Sequence, residues 1–160
     1  MTTNKIVNIL GGGLLCAAIL LSLLWTAYNP NFFGAPHLTT WLKFEIGTAV
    51  LASILFLFAG FLLSIVTPNE YIERFYLRYG IFFGILNVVL TAGIATWDWY
   101  NISMRSMPVA GANYEFPTLP EVLFSNLVAD ATILIATAVI SSIGYGIGNL
   151  VKGLFKPSRT

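Results

Sequence analysis

VLFSNLVADATILIATAVISSIGYGIGNLV, residues 122–151, carries one charged side chain, Asp130, in an otherwise apolar or small-residue run. A helix that crosses the hydrocarbon of a bilayer needs about 20 mostly apolar residues, and this stretch exceeds that. Three more runs meet the same test: IVNILGGGLLCAAILLSLLWTAY at 6–28, IGTAVLASILFLFAGFLLSIV at 46–66 and YGIFFGILNVVLTAGIATWD at 79–98. None alternates polar and apolar residues as a barrel strand does. The expected fold class is an all-α membrane protein, a single-domain bundle of four transmembrane helices over residues 1–160.

Composition agrees. Of 160 residues 57% are apolar and 9% charged, whereas a soluble domain has about a quarter charged residues. A small soluble domain leaves much of its surface in water and has nowhere to hide so much apolar area. A net charge of +1 supplies no basic field for nucleic acid. The single cysteine, Cys16, has no partner for an internal disulfide. The first run is longer than a secretory signal's apolar core, and Tyr28-Asn29-Pro30 follows it in place of a small-residue cleavage site, so it reads as a retained helix.

The ends of the runs carry their own signals. Trp25, Tyr28, Trp41, Trp97, Trp99 and Tyr100 cluster there, as amphipathic aromatics do at the headgroup level. Pro120 is expected in the first turn of the fourth helix, where a missing N–H costs nothing, with Thr118 as a cap. Four spans put both termini on one side, with Lys5, Arg74, Arg78, Lys152, Lys156 and Arg159; the other side receives Lys43 and Arg105. That excess makes both termini cytoplasmic, in the cell membrane. Lys152, Lys156 and Arg159 are expected at anionic headgroups. Glu70, Glu73, Arg74 and Arg78 read as a solvated helical turn. Asn29–Phe44 and Trp99–Leu119 form the two longer outer loops.

Asp130 is the residue most in need of explanation. A charge at bilayer depth costs about 2.5–3.5 kcal/mol on the gentlest scale, so it must face a protein interior, a water cavity or a partner. Asn126, Thr137, Ser141, Gly144 and Gly148 continue its helix face. One reading is a proton or cation path with Asp130 as carrier. The other is a helix–helix seam, where small and polar residues gather. The third run carries a matching face: Gly80 and Gly84, then Asn87, Thr91, Ala95 and Asp98. Helices three and four are expected to pack through these faces, bringing Asn87 toward Asn126 or Asp130. Gly11, Gly12 and Gly13 point all round the first helix and should meet partners on more than one side. The candidate intramembrane site is therefore Asp130, Asn126, Asn87, Thr137, Gly80 and Gly84.

The lone histidine, His37, excludes a haem held by two histidines of this chain, and the sequence has no ligand set for a zinc, copper or di-iron centre. There is no phosphate loop, dinucleotide fingerprint or nucleophile elbow. Phe33-Gly34-Ala35-Pro36-His37-Leu38-Thr39 resembles a loop of small membrane subunits in multisubunit sodium/proton antiporters and related hydrogenases. That family's Gly-Gly-Gly-Phe and Phe-Asp-x-Gly-Val patterns are missing here, so no functional residue carries over. The expectation is a small non-catalytic accessory subunit of a larger respiratory, redox or monooxygenase-type membrane complex. It would have no cofactor of its own, with lipid and other integral membrane subunits as its company. The alternative is a proton- or cation-translocating subunit of an antiporter-like complex that uses Asp130.

Overall fold

The structure, a computed structural model, describes residues 3–28, 46–67, 75–105 and 117–155. It consists of four α-helices: α1 Thr3–Tyr28, α2 Ile46–Val66, α3 Phe75–Arg105 and α4 Leu119–Leu154. Three of them contain stretches long and apolar enough to cross a membrane, Asn4–Trp25, Phe75–Met104 and Leu119–Leu154. The fourth, α2, is an uncharged helix of 21 residues whose described apolar stretch is Val50–Val66. The heptapeptide 33–39, Lys43, and the polar turn with Glu70, Glu73 and Arg74 lie outside the described residues.

Three helices outrun the expected spans: α1 starts at Thr3 rather than Ile6, and α3 and α4 extend at both ends. Helix α3 extends to Phe75–Arg105 rather than 79–98, and takes in the first residues of the expected outer loop. Its added turns carry aromatics and polar groups suited to an interface. Helix α4 starts at Leu119 because its cap is built: Thr118 occupies the N-cap and Pro120 the first turn. The Glu121 carboxylate accepts from the Thr118 N–H at 2.8 Å and its hydroxyl at 2.9 Å, which satisfies a backbone donor that the helix leaves unpaired. Trp99 Nε1 donates to the Pro117 carbonyl at 2.9 Å and so ties the end of α3 to this cap.

Helices α1 and α4 form the middle of the bundle. Helix α1 packs on α3 and α4, and α4 packs on α2, α1 and α3, while α2 and α3 barely meet. The pairing fixes direction. Gly11 meets Leu77 and Ser22 meets Asn87, so α1 and α3 run parallel. Phe56 meets Ser141 and Ser64 meets Gly148, so α2 and α4 run parallel too. Gly13 meets Ser142 near the end of α4, so α1 and α4 are antiparallel. The chain thus goes up, down, up and down, with Lys5, Arg78 and Lys152 at one end and Arg105 at the other.

Polarity is inverted relative to a soluble protein. The buried set includes Ser64, Asn87, Thr91, Asp130, Ser141 and Ser142, while Leu51, Phe82, Ile85, Phe124, Ile135 and Leu150 are exposed. An apolar core does exist around Ala17, Leu21, Trp25 and Phe56. Yet the outer surface is at least as greasy as the inside, which is the arrangement a hydrocarbon solvent favours.

Where lipid is as apolar as leucine, helices associate through close packing and interhelical hydrogen bonds. The α2–α4 seam has both. A methyl group on Gly60 would fall on the Ser141 carbonyl, one on Gly144 on the Leu57 carbonyl, and one on Gly148 on the Ser64 hydroxyl. Ser141 Oγ donates to the Phe56 carbonyl at 3.1 Å. The glycine triplet serves two neighbours, Gly11 meeting the α3 backbone while Gly12 and Gly13 meet Tyr145 and Ser142 of α4.

Lys152 also has partners within the bundle. Its ammonium donates to the Ser64 carbonyl at 3.3 Å and also to the Thr67 carbonyl, which caps the C-terminal end of α2 with a cation. Thr67 shares a hydrogen bond with the Tyr76 hydroxyl, and Tyr76 stands edge-on to Tyr145, centroids 6.1 Å apart. One end of the bundle is closed by these contacts between α2, α3 and α4.

Gly60→Ala and Gly144→Ala should each destabilise the detergent-solubilised protein by about 1–3 kcal/mol, the usual cost of overpacking. Gly93→Ala, with nothing within 4 Å of its added methyl, should melt like the parent. Thermal unfolding followed by tryptophan fluorescence checks all three.

Candidate functional site

The polar residues inside the bundle converge at one place. Asp130 lies eleven residues into α4 from Leu119, about 16 Å along its axis at 1.5 Å per residue. It is 1% exposed. Helix α3 presents Asn87 and Thr91 to it from one face, because residues four apart on a helix stack one above the other. These two are 0% and 2% exposed. Helix α1 closes the third side with Ser22.

The hydrogen bonds form a connected set. Thr91 Oγ1 lies 3.1 Å from Asp130 Oδ2 and donates to it; the same hydroxyl is also within reach of the Asn87 and Val88 carbonyls of its own helix, at 3.1 and 3.0 Å. The Asn87 amide is assigned with its NH2 toward the carboxylate, since that orientation satisfies both of its ends. The NH2 then donates to Asp130 Oδ1 at 3.0 Å and Oδ2 at 3.3 Å. The amide carbonyl accepts from the Ser22 N–H at 3.2 Å and its hydroxyl at 3.3 Å. Three helices are joined through one carboxylate whose oxygens both receive donors. Such contacts replace the water that an acid would otherwise need at this depth.

Of the two expected neighbours of Asn87, it is Asp130 that stands beside it. Asn126, one turn up α4, donates instead to the Val122 carbonyl of its own helix at 2.8 Å. Thr137 likewise bonds back to the Ile133 carbonyl at 2.7 Å and Leu134 at 3.1 Å. The two glycines of α3 do not form one α3–α4 seam. Gly80 faces α1, where an added methyl would lie 3.1 Å from the Gly11 carbonyl oxygen and 3.2 Å from the Leu15 nitrogen. Gly84 faces Leu134 of α4 at an ordinary 3.6 Å.

The continuous face of α4 is also divided. Asp130 meets α3, whereas Ser141, Gly144 and Gly148 meet α2. Asp130 and Gly148 are eighteen residues, or about five turns, apart and point the same way. Their neighbours differ because α2 and α3 cover that face at different heights.

Ser22 is the member that residue type alone does not reveal. A serine in a leucine-rich helix usually hydrogen-bonds back one turn, and Ser22 Oγ does lie 2.8 Å from the Ala18 carbonyl. The available signal is spacing: Leu15, Ala18, Ser22 and Trp25 recur at three and four residues along one face of α1. Among the described residues no three His, Cys, Asp or Glu side chains come together as a metal-ligand group; His37 lies outside them.

Compared with family models, curated proteins and solved structures, the chain matches none.

Thr91→Val keeps the shape and removes the donor to Asp130. It should lower stability by about 0.6–1.7 kcal/mol, the range for interhelical hydrogen bonds in membranes. Asn126→Ala, outside the cluster, should change it by no more than a few tenths. Unfolding in a mixed-micelle denaturant titration separates the two.

Proposed function

We propose that this chain spans the membrane four times as a structural subunit of a larger membrane complex. In this reading its buried acid serves as a fastener between helices rather than as a carrier. The observation that favours it is the state of the Asp130 carboxylate: 1% exposed, held by Thr91 and Asn87, and backed on the α1 side by Ser22 through the Asn87 amide. A carrier has to exchange its ion with water on alternate sides, and this arrangement encloses the group. The close α2–α4 seam and the polar contacts at the Lys152 end support a rigid body.

The outer surface fits such a role. Large apolar side chains of α2, α3 and α4 face outward along the bundle, among them Leu51, Ile54, Phe58, Phe82, Ile85 and Ile135. They offer area to lipid and to neighbouring membrane subunits alike. The placement of the basic residues supports termini on the cytoplasmic side of the cell membrane. The second reading, a proton- or cation-translocating subunit, keeps one supporting observation: an acid at bilayer depth is usually functional.

The two readings separate at Asp130. In the structural role, Asp130→Leu leaves the Asn87 and Thr91 donors unpaired at a cost of about 1–3 kcal/mol and lowers the yield of assembled complex several-fold. Asp130→Asn keeps the size and one acceptor, so it should assemble near normally, with ion flux into proteoliposomes unchanged. Abolished flux in a normally assembled Asp130→Asn protein would establish translocation instead; normal assembly of Asp130→Leu would remove the structural reading.

A further inference from the structure

Helices α3 and α4 are level at one end of the bundle and differ at the other. Trp99 Nε1 donates to the Pro117 carbonyl at 2.9 Å, which sets Asp98 and Glu121 near one height. From there α3 runs twenty residues to its next charge, Arg78, about 30 Å at 1.5 Å per residue and the thickness of a bilayer's hydrocarbon. Helix α4 runs thirty-one residues from Glu121 to Lys152 with only the buried Asp130 between them, about 46 Å. The contacts between helices measure the step. Gly11 lies on Leu77, while Gly12 and Gly13 lie on Tyr145 and Ser142. Arg78 is therefore level with Ser142, ten residues short of Lys152, or about 15 Å. On α1 it is level with Gly12, seven residues inside Lys5, or about 10 Å. Helix α2 ends beside Lys152.

Lipid alone cannot serve both levels. With headgroups at Arg78, the first turns of α1 and the last of α2 and α4 stand in water, with Leu10, Leu62, Val66, Leu150 and Leu154 exposed on them. With headgroups at Lys5 and Lys152, Arg78 lies inside the hydrocarbon, where a charge is costly. It is exposed there, on the outward face of α3 with Phe75, Tyr79 and Phe82. A side chain stretched toward the headgroups shortens the gap, but the gap is about 10–15 Å along the helices. Tilt alone would have to reach about 50° to fit α4 into the hydrocarbon, beyond the usual limit of about 40°, and would still leave Arg78 inside.

We propose that the outward face of α3 at Phe75, Arg78, Tyr79 and Phe82 is the docking site of a different membrane protein, whose helix presents a carboxylate to Arg78. Charge complementarity selects the acid. Among the described residues no acid of this chain stands at that height. The nearest, Asp130, lies beside Asn87, nine residues up α3 or about 13 Å away, and its donors are already in place. A second copy side by side in the same orientation would bring its described acids no nearer. The four residues form one stripe, being three and four apart on a helix. The Phe75 and Tyr79 rings stand with centroids 4.3 Å apart, and aromatic and arginine side chains are the usual anchors of protein interfaces. A guanidinium takes a carboxylate through two parallel N–H···O bonds, and the pair leaves the face neutral. The same neighbour, continued to the level of Lys152, would shelter part of the apolar rim. The inference rests on the reading of this chain as a subunit of a larger membrane complex and adds the face and the chemistry of the contact.

The test uses the full-length chain in its own membrane. A photoreactive phenylalanine analogue replaces Phe82, the membrane is irradiated, and the adduct is sequenced by mass spectrometry. It should join a membrane helix that carries Asp or Glu within about one turn, four residues, of the linked position. Arg78→Glu should lower co-purification of that protein in mild detergent at least tenfold, and exchanging the partner's acid for arginine should restore it. Arg78→Leu should lower it as well and serves if Arg78→Glu fails to insert. The melting of the purified chain should not move in Arg78→Leu, because the side chain is exposed. Adducts with lipid alone, adducts between two copies of this chain, or undiminished co-purification of Arg78→Leu would overturn the docking site. If the parent still travels with larger subunits in those cases, the subunit reading stands and only the contact at Arg78 fails. A parent chain that travels alone in mild detergent would overturn both.

Discussion

A carboxylate buried among helices has no water to turn to, and this constraint organises the bundle. Asp130 is satisfied only if α3 stands where Thr91 and Asn87 reach it, and Asn87 only if α1 brings Ser22 to its other end. The acid therefore sets the rotation of α4, the height of α3 and the rotation of α1 together. In water each of these groups would have a solvent partner, and the penalty for a misplaced helix would be small. In lipid an unpaired polar group costs several kcal/mol, so a polar cluster of four side chains selects one register for three helices.

The remaining helix is held by a different device. Among the described residues, helix α2 has no share in the Asp130 cluster. It lies on α4 through glycines at positions where a methyl would strike backbone, Gly60 on one side and Gly144 on the other. Close approach maximises dispersion contact between backbones and brings Ser141 within reach of the Phe56 carbonyl. Lys152 then fastens the end of α2 by its carbonyls. Hydrogen bonding holds the α1–α3–α4 half and close packing the α2–α4 half, and α4 belongs to both. This dual membership accounts for α4 carrying both the acid, which meets α3, and the small residues Ser141, Gly144 and Gly148, which meet α2.

How much of this was legible follows from what each feature depends on. Helix positions could be read because they rest on local properties: run length, the Pro120 turn and the Thr118 cap. The importance of Asp130 could be read because burial of an acid is costly wherever it happens. The dual service of the glycine triplet followed from helical geometry alone. Asn126 and Thr137 donate to carbonyls of their own helix, and sequence cannot show whether a polar group bonds backward or across. The contact of Lys152 with the end of α2 was not legible, because nothing local reveals that the end of α2 stands beside it. Gly80 was assigned to α4, although the neighbour close enough to need a glycine there is α1.

By itself the sequence determined that the described chain forms apolar helices with small and polar inner faces. Span length, periodicity and the cost of charge are properties of one helix in one solvent. Only the tertiary structure decided which helix covers each part of a face. Asp130 and Gly148 point in the same direction from α4, yet one meets α3 and the other α2. Periodicity gives an angle around a helix axis and says nothing about what lies opposite at a given height. The positions of α2 and α3 along α4 supply that, and they depend on the fit of all four helices at once.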